Sequence, residues 1–280
     1  MNIKGFKLHH LDKEDLHNGL LFEKVIDIPF AHIKERKRYL RVWIPEDFSF
    51  EKEYGVIYMS DGQNAVANSL APFGEWNMED HLINLTNEGY PEFIVVGIDC
   101  PYNPNERFKE YTPYKPSRYG WHKNEKVYGD KFSKFLIDVI HPIILQKFKI
   151  NRDLIGFCGS SMGGLISFYI YAKYPSVIKF ALSYSPAFHA YTSSSIIDSF
   201  TKWNPNANSY GSLSIYTGGG DSLERTLLPE IKLINDLLLK QGFSEKLQFI
   251  YDKNKPHNEQ SWSDNVITSL KFILNNIKKV

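Results

Sequence analysis

Residues 154–164 read LIGFCGSSMGG, an apolar run that enters a turn rich in glycine and serine. The turn holds the pattern G-x-S-x-G from Gly159 to Gly163, with Ser161 at its centre. Residues 165–172 follow with apolar side chains at helical spacing, so the pattern lies between a predicted strand and a predicted helix. In that setting a serine on a sharp turn presents its hydroxyl above the sheet, where it can act as a nucleophile.

The tight geometry of this turn explains why glycine stands at both ends of the pattern. A side chain at Gly159 or Gly163 is expected to collide with neighbouring backbone, because the turn is tight and strained. The helix that starts after Ser161 also aims free N–H groups at developing negative charge. A chance occurrence is the alternative, but the strand before the pattern and the helix after it favour the functional interpretation.

The composition excludes several classes of protein. The 280 residues are 42% hydrophobic and carry a formal net charge of +1, so no surplus of Lys and Arg is available to pair with nucleic-acid phosphates. Two cysteines, Cys100 and Cys158, exclude a disulfide framework and argue against a cysteine-based metal cage. No apolar run is long enough for a bilayer, and none follows the first lysines as a secretory signal would. We therefore expect a cytoplasmic protein with no membrane partner.

Short β-type runs alternate with longer segments of helical spacing along most of the chain. The runs are 56–59, 93–98, 154–158, 180–184, 213–216 and 247–251. This alternation predicts an α/β fold with a mostly parallel central sheet and helices on both faces. Residues 22–28 and 39–44 predict two antiparallel N-terminal strands. No repeat or linker divides the chain, so residues 1–280 are expected to form a single domain.

A nucleophilic serine on such a turn needs a base, which follows it in the chain order Ser, Asp or Glu, His. Seven of the nine histidines precede Ser161, and His189 comes too early to follow a strand that carries the acid. His257 remains, after the run 247–251 and before the last predicted helix. A histidine in a surface loop is the alternative, but the position favours a catalytic base.

The acid is expected after the run 213–216. Three glycines, residues 218–220, free the backbone to turn at the carboxyl edge of the sheet and are followed by Asp221. Asp221 is the first candidate, and Glu224 in the same loop or first helical turn is the second. The alternative role for Asp221 is the N-cap of the helix that follows.

An oxyanion hole requires two N–H donors. The Met162 N–H, directly after the nucleophile, is the first. The second comes from the loop after an early strand, where residues 59–64 read MSDGQN, and the Gln63 N–H is our candidate. An ordinary Asp-Gly turn at this place is the alternative.

Two long segments, 100–128 and 187–210, are expected to be irregular insertions that form the binding cleft. Both are rich in aromatic residues, and we select Tyr119 and Trp121 as substrate-binding candidates, because aromatic faces can stack on a sugar or a phenolic acyl group. The alternative is that these rings pack the loops onto the sheet.

The chain resembles the putative esterase family of α/β-hydrolases, which includes feruloyl and acetylxylan esterases, enterochelin esterases, S-formylglutathione hydrolases and mycolyltransferases. The resemblance covers about residues 20–265. It is carried by residues 41–45, 61–64, 95–98, 107–113, 159–164, 174–175, 185–186 and 257–262. It implies an α/β-hydrolase fold and a triad of Ser161, Asp221 and His257.

The expected function is that of a serine esterase, which hydrolyses a small-molecule or carbohydrate-linked carboxylic ester through an acyl-enzyme. No cofactor and no metal are expected, since no His, Asp or Glu cluster shows ligand spacing in the sequence. Two alternatives remain open: acyl transfer to an alcohol by the same triad, and a non-catalytic binding module that retains the fold.

Overall fold

A computed structural model describes residues 2–118, 125–203 and 206–277, of which residues 201–203 are described by their backbone alone. Their strands form one sheet in the order β1-β2-β3-β5-β4-β6-β7-β8-β9. The strands are β1 Lys7–His9, β2 Leu20–Asp27, β3 Lys37–Ile44, β4 Tyr54–Ser60, β5 Phe93–Ile98, β6 Ile150–Ser160, β7 Phe180–Tyr184, β8 Ser212–Gly218 and β9 Leu247–Asp252.

The direction of the strands agrees with the sequence patterns. Strands β4 to β9 are parallel, whereas β1, β2 and β3 form antiparallel pairs that join the sheet at β5. The predicted antiparallel pairing of the early segments is confirmed, with Phe22 opposite Val42. The predicted mixed α/β fold with a mostly parallel sheet is confirmed as well.

Helices cover both faces of the sheet. They are α1 Met78–Asn87, α2 Pro104–Tyr111, α3 Gly129–Phe135, α4 His141–Lys147, α5 Met162–Lys173, α6 Ser193–Trp203, α7 Ser222–Lys240, α8 Glu259–Ser263 and α9 Val266–Ile277. Apolar residues of α1, α8 and α9 share one core, and those of α2 to α7 share the other. Among the described residues, no helix combines the length and the apolar character that crossing a bilayer requires.

Strand β6 is apolar and buried from Leu154 to Cys158, where helices cover both faces of the sheet. Phe157 points into the core under α5, and its neighbour Cys158 points into the core under α9. Side chains alternate between faces along a strand, so the part of a strand that is covered on both sides is apolar at successive positions.

The two predicted insertions are less irregular than expected. Segment 100–128 contains α2, and segment 187–210 contains α6. In α2 the side chain of Asn103 accepts a hydrogen bond from the Asn105 N–H, and Pro104 occupies the first turn. These are helix-start signals that outweigh the loop-like proline and aromatic composition of the segment.

Candidate active site

Four neighbouring parallel strands bring the candidate residues to one edge of the sheet. Ser161 follows β6, Ser185 follows β7, Glu224 lies in the first turn of α7 after β8, and His257 follows β9. The carboxyl ends of parallel strands lie at the same edge, which is where open α/β sheets bind ligands. The predicted nucleophile and the predicted base therefore share this edge.

Ser161 occupies a strained backbone conformation. Its φ of 58° and ψ of −119° lie in a region that residues with a side chain rarely adopt. The Ser161 N–H donates to the carbonyl of Tyr184 at 2.8 Å, and its carbonyl accepts from the Ala187 N–H at 3.0 Å. These bonds to the neighbouring strand end and its loop hold the turn in place, so the serine stands at the strand-to-helix junction.

The two glycines of the turn are required by packing. A Cβ at Gly159 would lie 2.5 Å from the carbonyl oxygen of Gly163, as expected for a collision with backbone. A Cβ at Gly163 would instead lie 2.4 Å from the hydroxyl oxygen of Ser60. The expected backbone collision is thus present at Gly159, and at Gly163 the obstacle is the side chain at the end of β4.

The ring of His257 is held by Glu224. Nδ1–H of His257 donates to Oε1 of Glu224 at 2.8 Å, and Ser185 donates its hydroxyl to the same oxygen at 2.5 Å. The other carboxylate oxygen accepts from the Thr217 hydroxyl and the Gly218 N–H, both at 2.9 Å. Burial by itself opposes ionisation of Glu224, but the bonds from His257 and Ser185 outweigh it and lower the pKa. Glu224 is therefore a fully buried, ionised carboxylate with four donors.

Asp221, the first candidate for the acid, does not contact this ring. Its carboxylate accepts the Glu224 N–H at 2.8 Å and the backbone N–H of His257 at 2.7 Å. Asp221 is the N-cap of α7 and binds the main chain of the histidine loop. The imidazole contact expected for Asp221 is made by Glu224 in this structure, because the N-cap side chain turns back onto the helix end while Glu224, one turn later, points into the sheet edge.

Two tryptophans pack behind the histidine. The Trp262 ring meets the imidazole of His257 edge to face, with centroids 4.9 Å apart, and its Nε1–H donates to the Ser185 hydroxyl at 3.0 Å. Trp76 stacks on Trp262 at 5.9 Å and on Tyr184 at 5.3 Å. The imidazole is thereby fixed both by Glu224 and by a rigid aromatic wall.

The two predicted oxyanion donors lie at helix starts on this edge. Met162 is the first residue of α5, and Gln63 lies in the short 3-10 turn Gly62–Asn64 after β4. Neither backbone N–H is hydrogen-bonded within the described part of the chain. The polar atoms of the Gln63 side chain are both bound to Cys100. The amide oxygen accepts from the Cys100 N–H and Nε2 donates to the Cys100 sulfur, each at 3.1 Å.

Several polar residues around the site received no role from sequence reasoning. Arg107 forms a two-pronged ion pair with Asp61, with N–O distances of 2.6 and 2.8 Å. Burial raises the pKa of Glu259, which neighbours Asp61 and His257, to about 6. Burial also lowers the pKa of His189 to about 4, with Arg118 and His257 adding to the shift. The only available signal was that Arg107 and Glu259 fall within the segments that carry the family resemblance.

The predicted substrate-binding residues Tyr119 and Trp121 lie outside the described residues. A cavity of about 640 Å³ lies instead against the outer side of α5, lined among others by Tyr114, Phe168, Tyr169, Phe188, Tyr191 and Phe200. Neither Ser161 nor His257 lines it. These rings pack α6 and the neighbouring loops onto α5, which is the alternative considered for the aromatic residues of both insertions.

Comparisons with known proteins agree with this architecture. A sequence model of the family described as "Putative esterase" matches residues 31–269. The uncharacterized protein YbbA of Bacillus subtilis (strain 168) is 23% identical over 248 residues, which are 86% of this chain and 94% of that protein.

Solved esterases share the fold. The siderophore hydrolase EstA from Aspergillus nidulans superposes with a TM-score of 0.67 at 17% identity, covering 92% of this chain and 95% of its own. A ferulic acid esterase gives a TM-score of 0.63 at 16% identity over 91% and 97% of the two chains. The chain belongs to the putative esterase family and has the α/β-hydrolase fold.

Proposed function

We propose that this protein is a serine esterase that hydrolyses a carboxylic ester through an acyl-enzyme, with Ser161 as nucleophile, His257 as base and Glu224 as acid. The observation that carries the proposal is the 2.8 Å hydrogen bond from His257 Nδ1 to the buried Glu224 carboxylate, on the sheet edge where Ser161 occupies a strained turn. A carboxylate on Nδ1 leaves Nε2 as the proton acceptor, which is the tautomer that a general base needs.

The reaction follows from these groups. His257 takes the hydroxyl proton of Ser161 as the oxygen attacks the ester carbonyl, and the carbonyl oxygen becomes an oxyanion. The N–H groups of Met162 and Gln63 are the proposed donors to that oxyanion. The intermediate collapses, the alcohol leaves with the proton from His257, and water then releases the acid from Ser161 by the same route.

Glu224 is a better acid than Asp221 on electrostatic grounds. The imidazolium formed during the reaction needs an ionised partner at Nδ1, and Glu224 is held ionised by its donors despite complete burial. A pair removed from water is also weakened little by salt. Asp221 assists indirectly, because its bond to the His257 N–H fixes the loop that carries the ring.

The substrate class is proposed from the neighbours and the cleft. One solved relative is named a ferulic acid esterase and another a siderophore hydrolase. We propose a small-molecule or saccharide-linked ester for this chain. Arg107 and Asp61 form an ion pair, and Glu259 lies close enough to Asp61 and His257 to interact with both electrostatically, so we propose that these three residues contact the polar part of such an ester.

The experiment is labelling by a fluorophosphonate probe together with hydrolysis of a chromogenic short-chain ester. Wild type and Ser176→Ala, which changes an exposed loop serine, should react with the probe and hydrolyse the ester. Ser161→Ala should lose labelling and about six orders of magnitude in rate. Undiminished ester hydrolysis by purified Ser161→Ala would overturn the proposal, and a wild type that neither labels nor hydrolyses would indicate a binding module. Added alcohol acceptors would reveal acyl transfer as a second product.

A further inference from the structure

A second cluster of ionisable groups lies away from the sheet edge, where the segment before β2 meets the start of α1. A ring nitrogen of His17, a carboxylate oxygen of Glu79 and a carboxylate oxygen of Asp80 all lie within 4.8 Å of one another. His17 and Asp80 are joined by a 2.7 Å hydrogen bond, and Asn18 donates to the other oxygen of Asp80 at 3.0 Å. Three potential ligands from two separate segments therefore converge on one point.

Glu79 is the unusual member of the cluster. Its side chain is buried, with 1% of the residue exposed, and neither carboxylate oxygen has a hydrogen-bond partner in another described residue. A buried carboxylate without a partner is costly, so such groups are usually paired with a cation or protonated. Burial raises the pKa of Glu79 to about 9, and the nearby carboxylates of Asp80, Glu75 and Asp15 add to this shift.

The surroundings are strongly acidic. Glu75 has a buried carboxylate oxygen that also lacks a partner within the described chain. No ion pair between described residues brings a Lys or Arg to Asp15, Glu75, Glu79 or Asp80. Within residues 2–118, 125–200 and 206–277, His17 is thus the one group paired with these carboxylates that can become cationic, and the cluster has a deficit of positive charge.

We propose that His17, Glu79 and Asp80 form a Zn²⁺ site. One imidazole nitrogen and two carboxylate oxygens are a ligand set that zinc accepts, with water in the fourth position. A calcium site would be built from oxygens alone, so the imidazole favours zinc. The side chains of His17 and Asp80 are 47% and 34% exposed, which leaves the metal a path from solvent while Glu79 closes the inner side.

The adjustment needed for binding is small. Zinc bonds of about 2.0–2.1 Å in a tetrahedron place ligand atoms about 3.3 Å apart. Nδ1 of His17 and the carboxylate oxygen of Asp80 are now 2.7 Å apart, and they would separate slightly as zinc replaces the proton that they share. The distances from the ligand atoms of His17 and Asp80 to the Glu79 oxygen, now at most 4.8 Å, would shorten. Side-chain rotation suffices for changes of this size.

The site would link the N-terminal segment to the wall behind His257. Glu79 and Asp80 form the first turn of α1, and Trp76 lies just before it, stacked on Trp262. Zinc at this place would hold the two segments together without touching the ester. The proposal is therefore independent of the esterase mechanism.

The test is calorimetric titration of zinc into chelator-treated full-length protein, followed by thermal unfolding with and without zinc. We expect one zinc per chain and a rise in the unfolding midpoint of about 5 °C at a zinc concentration 100-fold above Kd. His17→Gln and Glu79→Gln should each weaken zinc binding at least tenfold. His9→Gln is the matched control, because His9 contacts Glu23 at 2.8 Å but belongs to no three-ligand cluster among the described residues, and it should bind as wild type does.

Other results would contradict the proposal. Absence of zinc binding, or equal binding by wild type and both variants, would overturn the proposal. A Glu79→Gln protein that is more stable than wild type but keeps its affinity for zinc would show that Glu79 holds a proton instead. Tighter binding of calcium than of zinc at these residues would overturn the assignment of the metal.

Discussion

Glu224 Oε1 lies 2.8 Å from Nδ1 of His257, although 33 residues separate the two in the chain. The contact exists because β8 and β9 are adjacent and parallel, so the loops after them meet at one edge. Asp221, only one helical turn before Glu224, reaches the backbone of His257 and not its ring. Because only Glu224 contacts the ring, kinetics of variants at the two positions can show which carboxylate acts as the acid.

Glu224→Gln should lower kcat far more than Asp221→Asn. The neutral amide cannot stabilise the imidazolium of His257 and can favour the wrong tautomer of its ring. The comparable change in a serine protease triad lowers kcat by about 10⁴-fold. Asp221→Asn keeps an N-cap acceptor for the Glu224 N–H, but it removes the negative charge at the helix start and the oxygen that accepts from the His257 N–H. We therefore expect a loss of about 1 kcal/mol of stability with a modest change in rate. Steady-state kinetics and urea unfolding of both variants provide the comparison. A larger loss of kcat in Asp221→Asn would return the role of acid to Asp221.

Gly62→Ala should disturb the proposed second oxyanion donor, the Gln63 N–H. A Cβ at Gly62 would lie 2.4 Å from the carbonyl carbon of Gly97, so the turn that carries the Gln63 N–H must shift. Loss of one such donor is expected to lower kcat by about 10²–10³-fold. Gly55→Ala is the control, since its Cβ would meet the Phe93 ring at the opposite end of β4. If kcat per folded molecule fell equally in both variants, the effect would be one of stability and not of the donor.

The buried pair of Arg38 and Glu110 should be sensitive to loss of a single partner. The guanidinium contacts the carboxylate at 2.8 and 2.5 Å, with side chains 5% and 2% exposed. Arg38→Met should reduce the free energy of unfolding by about 3–5 kcal/mol, because it leaves a buried carboxylate unpaired. The double variant with Glu110→Leu should recover most of that loss in urea unfolding. Lys271→Met, which breaks the exposed pair with Glu88, should change little.

His189 predicts a pH dependence of stability. Burial lowers its pKa from 6.5 to about 4, so the folded state disfavours the charged ring. The neutral ring's contribution to the free energy of unfolding is complete above pH 6.5. It is lost as the pH falls towards 4, by an amount on the order of 2–3 kcal/mol. His189→Gln removes this contribution. The unfolding midpoint of wild type should therefore fall more steeply than that of the variant between pH 6.5 and 4, and parallel curves would contradict the prediction.

The sequence determined the elements whose signal is local. The part of a strand that is covered on both faces is apolar at successive positions, and a turn that carries a side chain at φ 58° between strand and helix requires glycine beside it. For this reason the α/β architecture, the family and the position of Ser161 on a strand-to-helix turn could be predicted, and chain order selected His257. These predictions depend on spacing along the chain and need no knowledge of packing.

The tertiary structure decided which distant groups meet. Asp221 and Glu224 both carry a carboxylate just after β8. The direction of the first turn of α7 decides that Asp221 caps the helix and that Glu224 contacts the imidazole of His257. The cluster of His17 and Glu79 has no spacing signal, because 62 residues separate its segments. Pairings of this kind depend on long-range packing, in which a side-chain direction is fixed by neighbours that the local sequence does not contain.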